Sequence, residues 1–420
     1  MKACLFFFFT FLSLNLFAQN AKNTIYFIAD GMGPNSLTAA RIYSQGSSGK
    51  LNFERFSNLG MAKTYSSDDF VTDSAAAATA LASGVKTYNG SIGLSDSKLD
   101  PKKQSRELET ILDVAVKAGK SVGIITTTRV THATPACFYA HVKDRDMEDE
   151  IAAQLPMSQL TFLLGGGRNH FINNKKKPQL MADLKMNGWT YVDNAEALNN
   201  IDRRQKNLKV LGLFNASHLT YEKNRASVDG ISRLEPTLSQ MLFWGIKTLE
   251  TNPNGYVLIV EAGRIDHAGH ENNLKLQVSE TLALDEAYKI AFEKSGPQTL
   301  IVSTSDHETG GLSLNGHAGL KETKGDALFT LKKQQIVAWA TGPGAQANNT
   351  GNLAPEKSLY YEESASHTAS DVLVFASGPM ATLFNGYQEN TDIPHKILKA
   401  MGLQFSSPTN EENFKATKKL

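Results

Sequence analysis

Short, almost uninterrupted apolar runs recur along the chain: TIYFIAD from Thr24, SVGIITTT from Ser121, TFLLGGG from Thr161, GYVLIVEAG from Gly255, QTLIVSTSD from Gln298 and DVLVFASGP from Asp371. Runs of this length without polar alternation suit strands buried on both faces, as in a parallel sheet covered by helices. Other stretches repeat at helical spacing. Leu108, Ile111, Leu112, Ala115 and Val116 line one face between Ser105, which can cap the start, and Gly119, which can end it. A second amphipathic stretch runs from about Leu274 to Glu293. Strand and helix in alternation predict an α/β fold: a mostly parallel central sheet with helices on both faces. Such sheets bind ligands beyond the carboxyl ends of their strands.

From about 310 to 366 the pattern changes, and GPGAQANNTGNLAPEKS is rich in Gly, Asn and Pro. This reads as an inserted loop region within one catalytic domain spanning 19–420. The lysines of NNKKKPQ, from Asn173, read as a solvated turn. Residues 1–18 place Lys2 before an apolar stretch from Leu5 to Phe17, with Ala18 before Gln19; this is the secretory pattern, with cleavage expected after Ala18 and a periplasmic or secreted product. No later stretch is apolar for long enough to span a membrane. Removing Lys2 takes the formal charge from +1 to 0, which argues against nucleic acid or an anionic surface as partner. Cys4 leaves with the leader and Cys137, in PACFYA, remains alone as an expected buried thiol, so no internal disulfide is expected.

The chemistry sits where the apolar runs end. TIYFIAD closes on Asp30, GYVLIVE on Glu261, and QTLIVSTSD on Asp306 with His307 beside it. AGRIDHAGH adds Asp266 and His270, four apart and able to face one metal from a helical turn, and SASH supplies His367. A single strand-terminal aspartate commonly caps a helix, and a lone histidine is commonly solvated. Carboxylates and imidazoles gathered at one sheet edge repel each other or go unpaired unless cations bind them. Asp/His/His ligation with an open position suits zinc.

In VTDSAAAATALASGVKTYNG, Thr72 or Asp73 can cap a helix carried by Ala75 to Ala82 and ended by Gly84. Ser74 then stands in the first turn, where unpaired N–H groups and the helix dipole favour an anion. A serine hydroxyl is a poor nucleophile at its free pKa, and metal coordination is one way to activate it.

DGMG at Asp30, TDSAAAATALASGVKTYNG, THATPA at Thr131, LLGGGR at Leu163, VEAGRIDHAGH at Val260, TSDHETGG at Thr304 and SHTASDVLVFASGP at Ser366 together resemble the alkaline phosphatases, in that family's order and over nearly the whole mature chain. The resemblance implies a phosphomonoesterase with Ser74 as the phosphorylated nucleophile and Arg145, in AHVKDRD, as the phosphate clamp. It implies that Asp266, His270 and His367 hold one zinc, that Asp306 and His307 hold a second, and that Asp30 bridges to a third cation completed by Thr134 and Glu261, usually magnesium. Two further catalytic positions, His132 near the third cation and His267 near the phosphate, are histidine here and in animal members, while some bacterial members carry Asp and Lys. The insertion before His367 can shape substrate access or a contact in a homodimer. Within the superfamily a phosphodiesterase is the alternative; the Cys/Ser-x-P-x-R pattern of sulfatases is absent around Ser74. From another class, a non-catalytic metal- or phosphate-binding envelope protein would lack the phosphoserine.

Overall fold

The computed structural model describes residues 20–96, 105–316, 325, 337–346 and 358–406; the leader and cleavage site expected from the sequence lie outside the described residues. Its central sheet has ten strands. In chain order these are β1 (Asn23–Ile28), β2 (Asn58–Lys63), β3 (Ser121–Arg129), β4 (Phe162–Gly166), β5 (Trp189–Val192), β6 (Lys209–Leu213), β7 (Tyr256–Glu261), β8 (Thr299–Thr304), then β14 (Val372–Ser377) and β15 (Gly386–Glu389), after β9 to β13, which lie outside this sheet. Their spatial order is β15-β2-β14-β8-β1-β7-β3-β4-β6-β5. All neighbours pair in parallel except β14, which runs against both β2 and β8.

The side-chain period of two distributes each buried strand between two cores. On one face Tyr26, Ile28, Ile124, Leu163, Ile259 and Val302 pack with Ala75, Ala78 and Leu81 of the helix Ser74–Ser83, with Ile111, Leu112 and Ala115, and with Ile393 and Ile397. On the other, Ile25, Phe27, Ile125, Leu164, Leu258 and Val260 pack with Leu242 and Trp244 of the helix Leu238–Leu249 and with Leu284 and Tyr288 of the helix Leu274–Lys294. Helices therefore cover both faces, and the apolar runs carry no alternation because neither face meets water.

Some elements differ from the sequence expectation. The helix before β3 runs Ile111–Lys117, capped by Thr110 and not by Ser105. Thr110 and Asp113 form a reciprocal capping box, which satisfies two end N–H groups at the later position, while Leu94 and Glu107 bridge and leave Leu108 in extended chain. Strands β2, β5, β6 and β15 lie at or next to the sheet edges, and their sequences lack the long apolar runs of the inner strands. The stretch read as loop carries strands among its described residues: β10 (Ser313–Leu314), β11 (Val337–Gly342) and β12 (Ser358–Tyr361) form a small sheet. Its Trp339 is buried with Leu274 and Val278 of the long helix.

Candidate active site

The register of four adjacent strands assembles the polar groups. Ile28 pairs with Glu261 of β7 on one side and with Thr304 of β8 on the other, and Thr126 of β3 pairs with Glu261. The carboxyl ends of β8, β1, β7 and β3 thus deliver Asp306 and His307, Asp30, Glu261, and the segment bearing His132 and Thr134. Gly31 turns the chain after Asp30 with a φ of +73°, and a Cβ there would fall 2.5 Å from Asp266 Cα, so only glycine fits. Asp266 and His270 project from the helix Arg264–His270 that follows β7. His367 arrives from far along the chain because β13 (His367–Thr368) pairs with β9 (Glu308–Thr309), beside His307.

Three groups of donor atoms result, each lying within 4.8 Å of one another: Asp266, His270 and His367; Asp30, Asp306 and His307; Asp30, His132 and Glu261. In the first, His270 Nε2 is 3.2 Å from Asp266 Oδ2 and 3.3 Å from His367 Nε2. His270 Nδ1 donates to the Ala365 carbonyl, and His367 Nδ1 donates to the Thr72 carbonyl at 2.9 Å. Carbonyls only accept, so each Nδ1 carries a proton, and in the neutral form of either ring Nε2 is left with a lone pair turned toward the other ring and Asp266. In the second, His307 Nε2 lies 3.2 Å from Asp306 Oδ2 and 3.6 Å from Asp30 Oδ1, all three groups fully buried. Thr134 Oγ1 donates to Asp30 Oδ2 at 3.4 Å, and the hydroxyls of Thr126 and Thr128 donate to Glu261 Oε2.

Electrostatics follow this crowding. Burial, with the charges of Asp306, Asp266 and Glu261, pushes the Asp30 carboxyl well up. Burial pushes Glu261 up to about 7 against its threonine donors. Burial opposes ionisation of Asp266 as well, but His270, His367 and His307 hold it well below the usual carboxylate range. Burial depresses His367 and His267 to about 4 and puts His132 well below its ordinary value, with Arg145 and His267 adding to that on His132.

Ser74 opens its helix as expected. Of the two cap candidates Asp73 caps, accepting from Ala76 N–H at 2.9 Å, and Gly84 ends the helix in the left-handed region. Ser74 is buried, its Oγ 3.0 Å from His307 Nε2. Arg145 donates through Nη1 to Asp73 Oδ2 at 3.1 Å, and its Nη2 is 3.1 Å from His132 Nε2. His267 stacks edge-on to His132, with ring centroids 5.5 Å apart. Every candidate residue read from the sequence therefore lies in this one constellation.

Sequence reasoning missed other members. Asp73 joins serine helix to arginine, accepting also from Gly90 N–H at 3.0 Å. Thr309 donates to Asp266 Oδ1 and lies 3.3 Å from His307 Nδ1, linking two donor groups; TSDHETGG contained it without marking it. His218 stands 4.4 Å from His267 by ring centroids, and NASHLTYE offers no signal of that.

The family model described as alkaline phosphatase matches residues 21–403. The tissue-nonspecific alkaline phosphatase of Rattus norvegicus is 33% identical over 445 aligned residues, covering 90% of this chain and 83% of that one. The alkaline phosphatase of Gadus morhua is 33% identical, covering 93% and 94%. Among solved structures, the alkaline phosphatase of the Antarctic bacterium TAB5 superposes with a TM-score of 0.72 at 30% identity over 92% of this chain and 100% of that one. The Thermus thermophilus enzyme gives 0.76 at 27% identity over 96% of each. With strand ends, serine helix and donor groups in one place and the match running nearly end to end, this chain is a phosphatase and belongs to the alkaline phosphatase family.

Proposed function

We propose that the chain hydrolyses phosphate monoesters through a phosphorylated Ser74, at a site for two zinc ions and one magnesium, after export from the cytoplasm. The observation that carries this reading is Ser74 Oγ at a helix start, 3.0 Å from His307 Nε2, with Arg145 tied to the adjacent Asp73. The donor set fits cations. Asp30 Oδ1, Glu261 Oε1, Asp306 Oδ2 and His132 Nδ1 are buried without hydrogen-bond partners among the described residues. Burying ionised carboxylates without compensating positive charge costs several kcal/mol each, by rough estimate, and of these three carboxylates only Asp306 has, among the described residues, an imidazole within 3.2 Å.

Asp266, His270 and His367 would hold one zinc, Asp306 and His307 the second, and Asp30, Thr134 and Glu261 the magnesium, the last set being hard oxygens. When bound, the cations supply Lewis acidity that makes a hydroxyl nucleophilic without a general base and neutralises charge on a leaving oxygen. Ser74 Oγ attacks phosphorus in line, and the ester oxygen departs as the alcohol. Arg145 hydrogen-bonds the equatorial oxygens in a paired geometry that Lys cannot reproduce. The N–H groups of the first helical turn add a field favourable to the dianion. Water then attacks the phosphoserine, releasing inorganic phosphate and restoring the hydroxyl.

His132 and His267 flank this centre from the side of the third cation. A TAB5 enzyme variant with a histidine replaced by aspartate has been solved with magnesium bound in its M3 site, and on this chain we assign the matching role to His132. Elemental analysis of active protein should give two zinc and one magnesium per chain. A panel of esters should show turnover of monoesters well above that of diesters. Zinc-free active protein, or diesters turned over faster, would remove this reading.

A further inference from the structure

We propose that Thr126, Thr127 and Thr128, together with Gly263, make Glu261 a one-oxygen ligand and thereby bias the third cation site toward magnesium over calcium. The inference rests on the reading of Asp30, Thr134 and Glu261 as that site, and it concerns residues in the layer behind the ligands.

Glu261 ends β7 directly opposite Thr126 of β3. Its two carboxylate oxygens live in different surroundings. Oε2 accepts from the Thr126 hydroxyl, and Thr128 Oγ1, 3.0 Å away, shares its single proton between Oε2 and the Arg129 carbonyl, also at 3.0 Å. Those hydroxyl oxygens are 2.7 Å apart, and Thr128 N–H donates to Thr126 Oγ1 at 2.7 Å. With that lone pair occupied, the Thr126 proton is directed at the carboxylate, and both side chains are fully buried so that no water competes. The register of β3 against β4 shifts between Ile125 and Arg129, within the segment that carries these threonines.

Oε1 is the opposite case. It is buried and has no hydrogen-bond partner among the described residues, and Glu261 is the residue that shares a donor group with Asp30 and His132. The space beside it is kept by Gly263: a Cβ there would lie 2.2 Å from Thr128 Cγ2 and 2.8 Å from Glu261 Oε1. Gly263 is itself held in place by donating its N–H to Thr127 Oγ1 at 3.0 Å. Thus the three consecutive threonines divide two jobs: the outer two face Oε2, and the middle one positions the glycine that leaves Oε1 open.

Calcium takes six to eight oxygens and readily uses both oxygens of one carboxylate, whereas magnesium demands an octahedron of short bonds and uses one oxygen per carboxylate with waters filling the rest. A glutamate whose second oxygen already accepts the Thr126 proton and a share of the Thr128 proton cannot chelate without giving up those contacts. The same threonines could merely satisfy a buried carboxylate, and that simpler role predicts a change in stability with no change in cation preference.

The experiment measures magnesium and calcium binding calorimetrically on zinc-loaded protein dialysed free of the third cation. It compares wild type, the near-isosteric Thr126→Val/Thr128→Val double variant, Thr128→Val alone, and Thr126→Ser/Thr128→Ser. We expect the ratio of calcium to magnesium dissociation constants to fall about tenfold in the double valine variant, less in the same direction in Thr128→Val, and to be held by serine, in line with the size of outer-shell effects on metal sites. A folded valine variant with the wild-type ratio, or equal loss for both cations, overturns the inference. Should the double valine variant fail to fold, Thr128→Val against Thr126→Ser/Thr128→Ser decides by the same ratio. Wild type that binds neither cation removes the reading of the site itself and this inference with it, an outcome distinct from a ratio that fails to move.

Discussion

Ser74 Oγ and His307 Nε2 stand 3.0 Å apart although 233 residues separate them in the chain, and both side chains are buried. The helix cap at Asp73 fixes the first, and the segment between β8 and β9 fixes the second. Ser74→Ala should abolish the phosphoenzyme and lower kcat by on the order of 10³-fold or more, since a nucleophile acts as a unit with its activating groups. Zinc content should stay at the wild-type level, because side chains other than Ser74 supply most of the donors. Phosphate burst and elemental analysis read the two arms, and full turnover would remove the nucleophile assignment.

Arg145 is half committed before any substrate arrives. Its Nη1 is bound to Asp73 and its Nη2 to His132, which hold the guanidinium plane beside the serine helix. Arg145→Lys keeps the charge and loses the fork. The loss of one charge-assisted hydrogen bond, roughly 1.5–3 kcal/mol, corresponds to a decrease in kcat/KM of about 10- to 100-fold. Stability should change little, because Arg145 is partly exposed. A variant with kcat/KM within twofold of wild type would show that the clamp lies elsewhere.

How much of this was legible from sequence follows from where each residue sits. The inner strands were readable because burial on both faces makes them uninterrupted apolar runs, and Asp30, Glu261 and Asp306 were readable as the first charged residue after each run. Helix Ser74–Ser83 was readable from its alanines and Gly84. The alternating β2 and the exposed β15 lack such runs, because one side of each meets solvent. Thr110 won over Ser105 through a reciprocal cap that periodicity does not report. The roles of Thr309, Thr126 and Thr128 depend on which carboxylate oxygen each hydroxyl meets, and residue type alone carries no such information. His218 reaches the histidine pair from β6's following loop, a juxtaposition that only the folded chain creates.

Lys86 sets a stability term with a definite sign. Its side chain is 9% exposed, its ammonium donates to the Tyr65 carbonyl at 2.5 Å and lies 3.7 Å from that ring's centroid, and Glu389 Oε2 is 4.0 Å away. Burial pushes its pKa from 10.5 down to about 7, with Glu389 acting in the other direction. Between those two values the unfolded chain binds more protons than the folded one, so stability rises with pH through that window; below about 7 the penalty is fully present. Its ceiling is about 5 kcal/mol at 1.36 kcal/mol per pKa unit. Lys86→Met should raise Tm at pH 7 and flatten the rise toward pH 10. Parallel Tm curves for variant and wild type would remove the assignment.

His132 and His267 should act as a coupled pair, because their rings meet edge-on and His267 bears on the charge of His132. His132 is buried, presents an unpartnered Nδ1, and shares a donor group with Asp30 and Glu261. Burial, with Arg145 second, keeps it neutral. His132→Asp adds a negative charge that can anchor hydrated magnesium and a stronger acceptor for Arg145, so the magnesium concentration for half-maximal activity should fall by about tenfold. His267 has a different environment: burial holds its pKa near 4, and Arg264 Nη1 lies 3.1 Å from its Nδ1. A lysine ammonium placed there alone meets both burial and Arg264, so His267→Lys should lower Tm while slowing phosphate release through its added positive charge. With Asp at 132 the new ammonium gains a carboxylate across the former ring contact. The double variant should therefore be more stable than the sum of the singles by about 1–2 kcal/mol, within the range for contacting residues. Tm for all four proteins closes that cycle, and rate against pH and magnesium reads the function. Additive Tm changes together with an unchanged magnesium response would show that the two histidines pack and nothing more.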